Sequence, residues 1–220
     1  MAVAAVSRAL PRPSTKKAQR EASTENLLGA ALRLFVSRGY RHTSVEEIAE
    51  AARLTKGAVY FYFRNKDALL LALLDRVEAV LVDRMRERVA AAGPAASDQL
   101  VAFVHGQAQL GVDSADDVLL LILMSFEFSG AGGTIERRVR GIYDKLYAAI
   151  EAIIELGKKR GEFRRDIRSR EQAAIVMAGH DGTFLEWYRR RDAFNGAELT
   201  RALRTTMLTG LALPAPAKSK

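Results

Sequence analysis

The side chains with the most specific chemistry in this sequence lie between residues 43 and 66. Lysine ammonium groups, tyrosine phenols and short hydroxylated side chains occur together there, and all of them can hydrogen-bond to phosphate oxygens. One lysine has two small residues beside it that permit close approach, which suits a major groove. These are the residue types of a nucleic-acid contact surface: Thr43, Ser44, Thr55, Lys56, Gly57, Ala58, Tyr60, Tyr62 and Lys66.

Two short helices must position these side chains. Thr43 and Ser44 each stand three residues before a glutamate, Glu46 and Glu47 respectively, which is the signature of a capping box at a helix start. A tight turn then leads to Thr55, which can cap a second helix. The apolar residues of each helix fall on one face: Val45, Ile48, Ala49 and Ala52 in the first, Val59 and Phe63 in the second. This spacing is typical of a helix-turn-helix.

The outward face of the second helix suits the major groove of DNA. We expect Thr55 or Lys56 to touch bases there. We expect phosphate contacts from four residues: Thr43, Tyr60, Tyr62 and Lys66. Lys66 also opens a long helix, which Asn65 can cap, and its ammonium together with free backbone N–H groups predicts a phosphate clamp.

The run from Thr43 to Leu69 resembles the DNA-binding domain of TetR-family transcriptional regulators. Agreement with the family pattern extends, in order, over Thr43, Ser44, Val45, Ile48, Ala49, Ala52, Thr55, Gly57, Val59, Tyr60, Tyr62, Phe63, Asn65, Lys66 and Leu69. Arg53 departs from it, because the family usually has glycine there in left-handed backbone. A non-glycine residue in that conformation costs about 1 kcal/mol, so either the turn is altered or the arginine is kept for its charge.

The charge of the chain is concentrated near its start. The whole sequence of 220 residues carries a net +8, and residues 1–66 hold twelve Lys/Arg against five Glu, a net of +7. This distribution favours nucleic acid as a partner of the N-terminal third. There are no cysteines and no apolar run of the ~18–20 residues that a membrane span requires, so we expect a cytoplasmic protein without a membrane segment.

Helical periodicity continues through the chain and predicts an all-α fold of two domains. The first helix is expected from about Ala18 to Arg38, where Gly39 ends it. The long helix that begins near Lys66 is expected to run to Gly93 and Pro94. The expected divisions are a disordered basic arm (1–17), a three-helix DNA-binding domain (18–66), a larger helical domain for ligand binding and dimerisation (67–213) and a disordered tail (214–220).

The larger domain supplies two candidate surfaces. Large apolar and aromatic residues from separate helices could enclose a ligand: Phe103, Leu119, Leu123, Phe126, Tyr143, Tyr147 and Phe184. A filled core would use the same residues. The last two helices carry small and apolar positions that could pair with a second copy, as the last two helices of TetR-family proteins usually do: Ile175, Gly179, Gly182, Leu199, Leu203 and Met207.

Enzymatic readings fit the sequence poorly. The glycine cluster from Gly130 to Gly133 is not followed by Gly-Lys-Ser/Thr, so it predicts a loop rather than a nucleotide site. His180 and Asp181 have no second histidine at ligand spacing and no Gly-x-Ser-x-Gly beside them. We therefore expect no catalysis, no cofactor and no metal. The remaining alternative is a protein-binding adaptor that does not bind DNA. The charge and the phenols of the helix-turn-helix argue against it.

The resemblance implies a homodimeric repressor that binds a pseudo-palindromic operator and is released by a small lipophilic effector. The stretch from Gly179 to Tyr188 further resembles regulators thought to sense lipophilic acyl compounds.

Overall fold

The computed structural model describes residues 15–212, and the described chain is helical with no β-strand. The all-α prediction is confirmed. The expected arm lies outside the described residues up to position 14, whereas Lys16 and Lys17 belong to the first helix, whose cap is Thr15. The tail expected over 214–220 also lies outside the described residues.

The chain forms two compact units, which meet in sequence between Leu70 and Leu71. The first unit holds α1 (Lys16–Arg38), α2 (Val45–Ala51), α3 (Lys56–Tyr62) and the start of α4 (Lys66–Glu78). The rest of α4 belongs to the second unit, followed by α5 (Arg84–Ala91), α6 (Ala96–Asp113), α7 (Ala115–Glu127), α8 (Thr134–Arg160), α9 (Ser169–Arg189) and α10 (Gly196–Leu211).

The core of the first unit is built from the predicted apolar faces. Leu27, Leu28, Ala31 and Phe35 of α1 are buried. So are Ile48 of α2 and Val59 of α3, whereas Phe63 is half-buried and caps α3 at its C-terminal end. As predicted, Gly39 ends α1 with positive φ. Burying these faces together fixes the angle between α2 and α3, and so places the outward side of α3 on the surface.

The long helix predicted from Lys66 to Gly93 contains an irregularity that its apolar periodicity does not reveal. A π-helical turn, Ala79–Asp83, separates α4 from α5. Glu78, just before this turn, forms ion pairs with both Arg138 and Lys145 of α8. Arg138 also forms an ion pair with Asp75 of α4, at 2.8 Å. The end of α4, directly before the π turn, is therefore tied to α8 by ion pairs.

An ion pair and two backbone hydrogen bonds connect further elements of the second unit. Arg76 of α4 pairs with the buried Asp117 of α7 at 3.0 Å. The carboxylate of Glu162 accepts from the backbone N–H groups of Ala96 and Ser97 at 3.1 and 2.9 Å, and so caps α6. These hydrogen bonds lower the pKa of Glu162, that from Ser97 most strongly.

Candidate nucleic-acid interface and effector cavity

The helix-turn-helix of the first unit begins with the expected capping box. Ser44 is the cap, since its hydroxyl accepts from the Glu47 backbone N–H at 3.2 Å and the Glu47 carboxylate accepts from the Ser44 backbone N–H at 2.7 Å. Thr55 caps α3 by accepting from the Ala58 N–H at 3.1 Å. Between them Arg53 has φ 55°, and among residues 15–212 it is the one non-glycine residue with positive φ. The left-handed turn is therefore kept despite the missing glycine.

The outward face of α3 carries most of the predicted contact residues. Thr55, Lys56, Gly57 and Tyr60 are exposed, and Ala58 and Tyr62 are half-buried. Phe61 was not predicted as a contact, yet its ring is 71% exposed and lies under the Arg20 guanidinium at 5.8 Å. Its exposure was not evident from the sequence, because an aromatic residue at this spacing is more often part of a core.

The prediction that Thr43 binds phosphate is wrong. Its side chain is 1% exposed, and its hydroxyl donates to the Gly39 carbonyl at 2.8 Å. The hydroxyl therefore closes the turn between α1 and α2, and its hydrogen is committed inside the protein. Sequence spacing alone does not distinguish this buried threonine from the exposed Ser44 beside it.

The phosphate clamp predicted at Lys66 also needs correction. The Lys66 Nζ donates to the carbonyls of Tyr40 and Thr43 at 2.8 and 2.9 Å, and it lies 4.2 Å from the centroid of the Tyr40 ring. Two of its three donors thus satisfy backbone carbonyls of the α1–α2 turn. The Tyr40 hydroxyl in turn donates to Asp67 in the first turn of α4. Lys66 consequently ties three helices of the first unit together. Asn65 caps α4 as expected, with its Oδ1 2.8 Å from the Ala68 N–H.

The second unit contains a cavity of about 630 Å³ walled by α6, α9 and α10. Its apolar lining includes Val104, Val112, Phe184, Leu199 and Leu203. Its polar lining includes His105, Gln107, Gln109, His180, Thr183, Trp187, Thr200, Arg201 and Arg204. Small-molecule sites combine apolar walls with polar groups, as this cavity does, and its volume falls within their usual range of roughly 300–1,000 Å³.

The predicted pocket residues do not form this cavity together. Of the seven, all within the described chain, Phe184 alone lines it. Phe103 and Leu119 are buried in the core, whereas Leu123 and Tyr147 are partly exposed and Phe126 is 75% exposed. Leu123 and Phe126 therefore do not enclose this cavity, because both lie on an exposed face of α7. Periodicity identified the apolar helix, but α7 is apolar on more than one face.

His180 has a place that sequence reasoning left open. It is buried on the cavity wall, with its Nδ1 3.0 Å from Asp181 Oδ1. The other Asp181 oxygen accepts a long hydrogen bond, 3.5 Å, from the Tyr143 hydroxyl. Burial, and then the charge of Asp181, raise the pKa of Tyr143, so its phenol keeps its proton. These three residues form a satisfied polar chain behind the cavity, a binding environment rather than a nucleophile–base pair.

Gln107 joins the cavity wall to the π-helical turn. Its side chain is 2% exposed, and its amide donates to the Leu81 carbonyl at 3.1 Å. Gln109, two residues along α6, also lines the cavity, but it bonds to Asp113 within the same helix. Gln107 was missed because a glutamine in an amphipathic helix gives no sequence signal of burial.

The predicted dimer residues fall into three groups. Ile175 is 72% exposed on α9, and Gly182 lies exposed two turns further along. Leu199 and Leu203 line the cavity, and Gly179 and Met207 pack on each other, since a Cβ at Gly179 would lie 2.8 Å from the Met207 methyl. Met207 is thus buried within its own chain, and its assignment to a dimer surface is wrong.

Within residues 15–212, no group of three or more His, Asp or Glu side chains is arranged to hold a metal ion. Over the same residues, none of the helices combines the length and apolar character that crossing a membrane requires.

A helix-turn-helix with a basic, phenolic face, joined to a separate helical unit with a cavity, defines a DNA-binding transcriptional regulator. Comparison with known proteins agrees. The family model described as "Bacterial regulatory proteins, tetR family" matches residues 27–73. The crystal structure of the MbdR regulator from Azoarcus sp. CIB is 50% identical, with a TM-score of 0.79, and the match covers 87% of this chain and all of that one. The chain belongs to the tetR family.

Two more distant structures share the fold. FadR from Bacillus subtilis, in complex with stearoyl-CoA, is 19% identical with a TM-score of 0.72, over 85% of this chain and 98% of that one. AibR, in complex with isovaleryl coenzyme A and operator DNA, is 20% identical with a TM-score of 0.73, over 84% of this chain and 97% of that one.

Proposed function

We propose that this regulator is a homodimeric repressor, acting on cytoplasmic DNA, which a small lipophilic effector of the acyl type releases from its operator. The observation that carries the proposal is the cavity of about 630 Å³ in the second unit of a chain whose first unit presents a DNA-binding helix. A space of this size and lining can accommodate a small-molecule effector.

The DNA side of the proposal rests on α3. Lys56 and Thr55 stand at its exposed N-terminal end, where a recognition helix contacts base edges. Tyr60, exposed one turn later, offers a hydroxyl to phosphate, and Ser44, Gly57, Ala58 and Tyr62 complete the proposed contact surface. Phosphate contacts position the protein, and the base contacts specify the sequence.

The effector class follows from the cavity lining. Val104, Phe184 and Leu199 offer an apolar wall for a hydrocarbon group. Arg201 and Arg204 bring two guanidinium groups to the same space, where they can pair with an anionic headgroup. An acyl coenzyme A thioester combines both features, and FadR and AibR were solved with such molecules.

A dimer would use the exposed face of α9. Ile175 and Gly182 lie on this face, and Ala178 between them is also exposed. A two-fold dimer presents two copies of α3 and therefore requires a pseudo-palindromic operator, with half-site centres about 34–36 Å or a multiple apart.

Release requires that the effector bind the two states of the protein with different affinity, since equal affinity shifts nothing. The connection runs through α4, whose residues belong to both units, and through the π-helical turn that follows it. Gln107 touches both the cavity and this turn. An effector that accepts a hydrogen bond from the Gln107 amide would compete with the Leu81 carbonyl for that donor. The π-helical turn would then lose this hydrogen bond, and the conformation of the helix that leads to the first unit would change.

The direct test is a gel shift with a labelled fragment from upstream of the protein's own gene. We expect a retarded complex from which unlabelled random DNA displaces the fragment only poorly. Acyl coenzyme A thioesters should dissociate this complex. A complex that forms equally well on any sequence would contradict a repressor role. Turnover of the thioester during the incubation would instead indicate an enzyme.

A further inference from the structure

An ion pair joins the two helices of the helix-turn-helix on their exposed side. Lys56 is the first residue of α3, and Glu46 is the second residue of α2. The ammonium and the carboxylate are in contact although each side chain is exposed over about half its surface. The hydrogen bond between them lowers the pKa of Glu46 and raises that of Lys56, so both groups stay charged at neutral pH.

The other acidic residues of α2 are placed differently. Glu47 is occupied by the capping box with Ser44 and by Arg38, at 2.8 Å. Glu50 is exposed one turn beyond Glu46. Glu46 is therefore the carboxylate that contacts the cation at the start of α3, on the surface proposed to face DNA.

A carboxylate in this position opposes binding to phosphate. Lys56 can approach a phosphate only by sharing or leaving Glu46, and Glu46 itself is repelled by the DNA backbone. A lysine kept for phosphate affinity alone would be better without this partner. At a base edge, by contrast, acceptors and donors lie side by side, so both members of the pair can find a partner there.

A G·C base pair offers complementary groups to both members. Guanine presents the acceptors N7 and O6 in the major groove, which suit an ammonium, and cytosine presents the N4 amino donor, which suits a carboxylate. An A·T pair places the N6 amino donor of adenine between its two acceptors, N7 and the thymine O4, so it lacks the adjacent pair of acceptors that guanine offers to an ammonium.

We propose that Glu46 and Lys56 act as a pair that reads one G·C base pair in each operator half-site. Lys56 donates to guanine, and Glu46 accepts from the cytosine amino group. On any other sequence Glu46 holds Lys56 back from the phosphates and so weakens non-specific binding. This inference rests on the proposed DNA-binding function and adds the base pair that is recognised.

The test is in vitro selection from a random duplex pool, carried out in parallel with the wild type and with the Glu46→Gln, Lys56→Met and Glu50→Gln variants. The wild type should enrich a palindrome with G·C at one position of each half-site, favoured about 5- to 100-fold, the usual effect of one mismatched base pair. Glu46→Gln and Lys56→Met should lose the preference at that position and keep it elsewhere. Glu50→Gln removes an equal charge from the same helix and should keep every preference.

Affinity for a random duplex gives a second, independent readout. Glu46→Gln should bind it several-fold more tightly than the wild type, with a salt dependence steeper by up to about 0.9, the value of one added phosphate contact. Lys56→Met should bind it no more tightly than the wild type.

Two results would overturn the pairing. One is a Glu46→Gln variant that selects the same bases with the same preferences as the wild type. The other is a Glu50→Gln variant that loses the same preference, which would make the effect one of general charge. A wild type that enriches no sequence would contradict both this inference and the proposed function, whereas normal enrichment with an unaffected Glu46→Gln variant contradicts the inference alone.

Discussion

Replacing Lys66 by methionine should destabilise part of the first unit rather than remove a phosphate contact. The methionine keeps most of the apolar stem but loses the hydrogen bonds to the Tyr40 and Thr43 carbonyls, at 2.8 and 2.9 Å. Hydrogen bonds from a charged donor contribute about 1.5–3 kcal/mol each. Because Lys66 is only half-buried, we take the lower value for both and expect a loss of about 3 kcal/mol in local stability.

The assay is hydrogen exchange of the peptides that cover residues 40–66. A loss of about 3 kcal/mol corresponds to about 100-fold faster exchange where opening is reversible. Lys17→Met is the matched control, since Lys17 is 87% exposed in α1 and should leave exchange unchanged. Unchanged exchange in Lys66→Met, together with a salt dependence of DNA binding weaker by about one phosphate, would refute the structural role and restore the phosphate clamp.

Three further predictions concern the second unit. Glu162→Gln should lower thermal stability at pH 7. The difference from the wild type should shrink progressively as the pH falls below 4.5, the ordinary pKa of the group, because a carboxylate with a lowered pKa stabilises the fold only while ionised. A difference that is as large at pH 3 as at pH 7 would contradict this. Ile175→Glu should shift the protein toward monomer in sedimentation and weaken operator binding, whereas Ile167→Glu should change neither; a stable dimer of Ile175→Glu would place the interface elsewhere. Gln107→Leu removes a buried donor to the Leu81 carbonyl and should cost about 0.5–1.5 kcal/mol in chemical denaturation. Gln109→Leu, at an exposed hydrogen bond within α6, should cost less. Equal effects of the two substitutions would contradict a structural role for the bond between Gln107 and Leu81.

The helix-turn-helix could be predicted almost to the residue, because its signals are local. The Ser44 capping box, the Thr55 cap and the apolar spacing of Ile48 and Val59 all act within a few residues of the chain. The sequence left open whether Arg53 alters the turn between the two helices, and the structure shows that the left-handed backbone is kept there, with φ 55°. Local consistency of this kind leaves few alternative structures.

The roles of Thr43 and Lys66 could not be predicted in the same way. Both residues match the motif, and both carry groups that bind phosphate in other settings. Their partners are backbone carbonyls that the α1–α2 turn brings close, Gly39 for Thr43 and Tyr40 for Lys66. A sequence pattern identifies a position as polar, but only the fold shows whether the side chain is buried in a structural hydrogen bond or exposed for contact with DNA.

The predicted position of the cavity differs from the observed one, because the sequence does not distinguish apolar residues that line a cavity from those that fill a core. Phe103 and Phe184 have similar patterns, yet Phe103 is packed in the core and Phe184 borders the cavity. The arrangement of α6, α9 and α10 decides the difference, and it depends on contacts far apart in sequence. Gly179, with the Met207 methyl against its Cα, is one such contact.

The most direct test of the central claim is effector release measured by fluorescence anisotropy of the labelled upstream fragment, titrated with isovaleryl-CoA and stearoyl-CoA. Ala108 lines the cavity, so Ala108→Trp narrows it, whereas Leu123→Trp places the same ring outside it on α7. We expect the wild type and Leu123→Trp to release the fragment in response to at least one thioester, and Ala108→Trp to bind the fragment but not release it. Release by Ala108→Trp at the wild-type concentration, or no release of the wild type by either thioester, would contradict an acyl effector in this cavity.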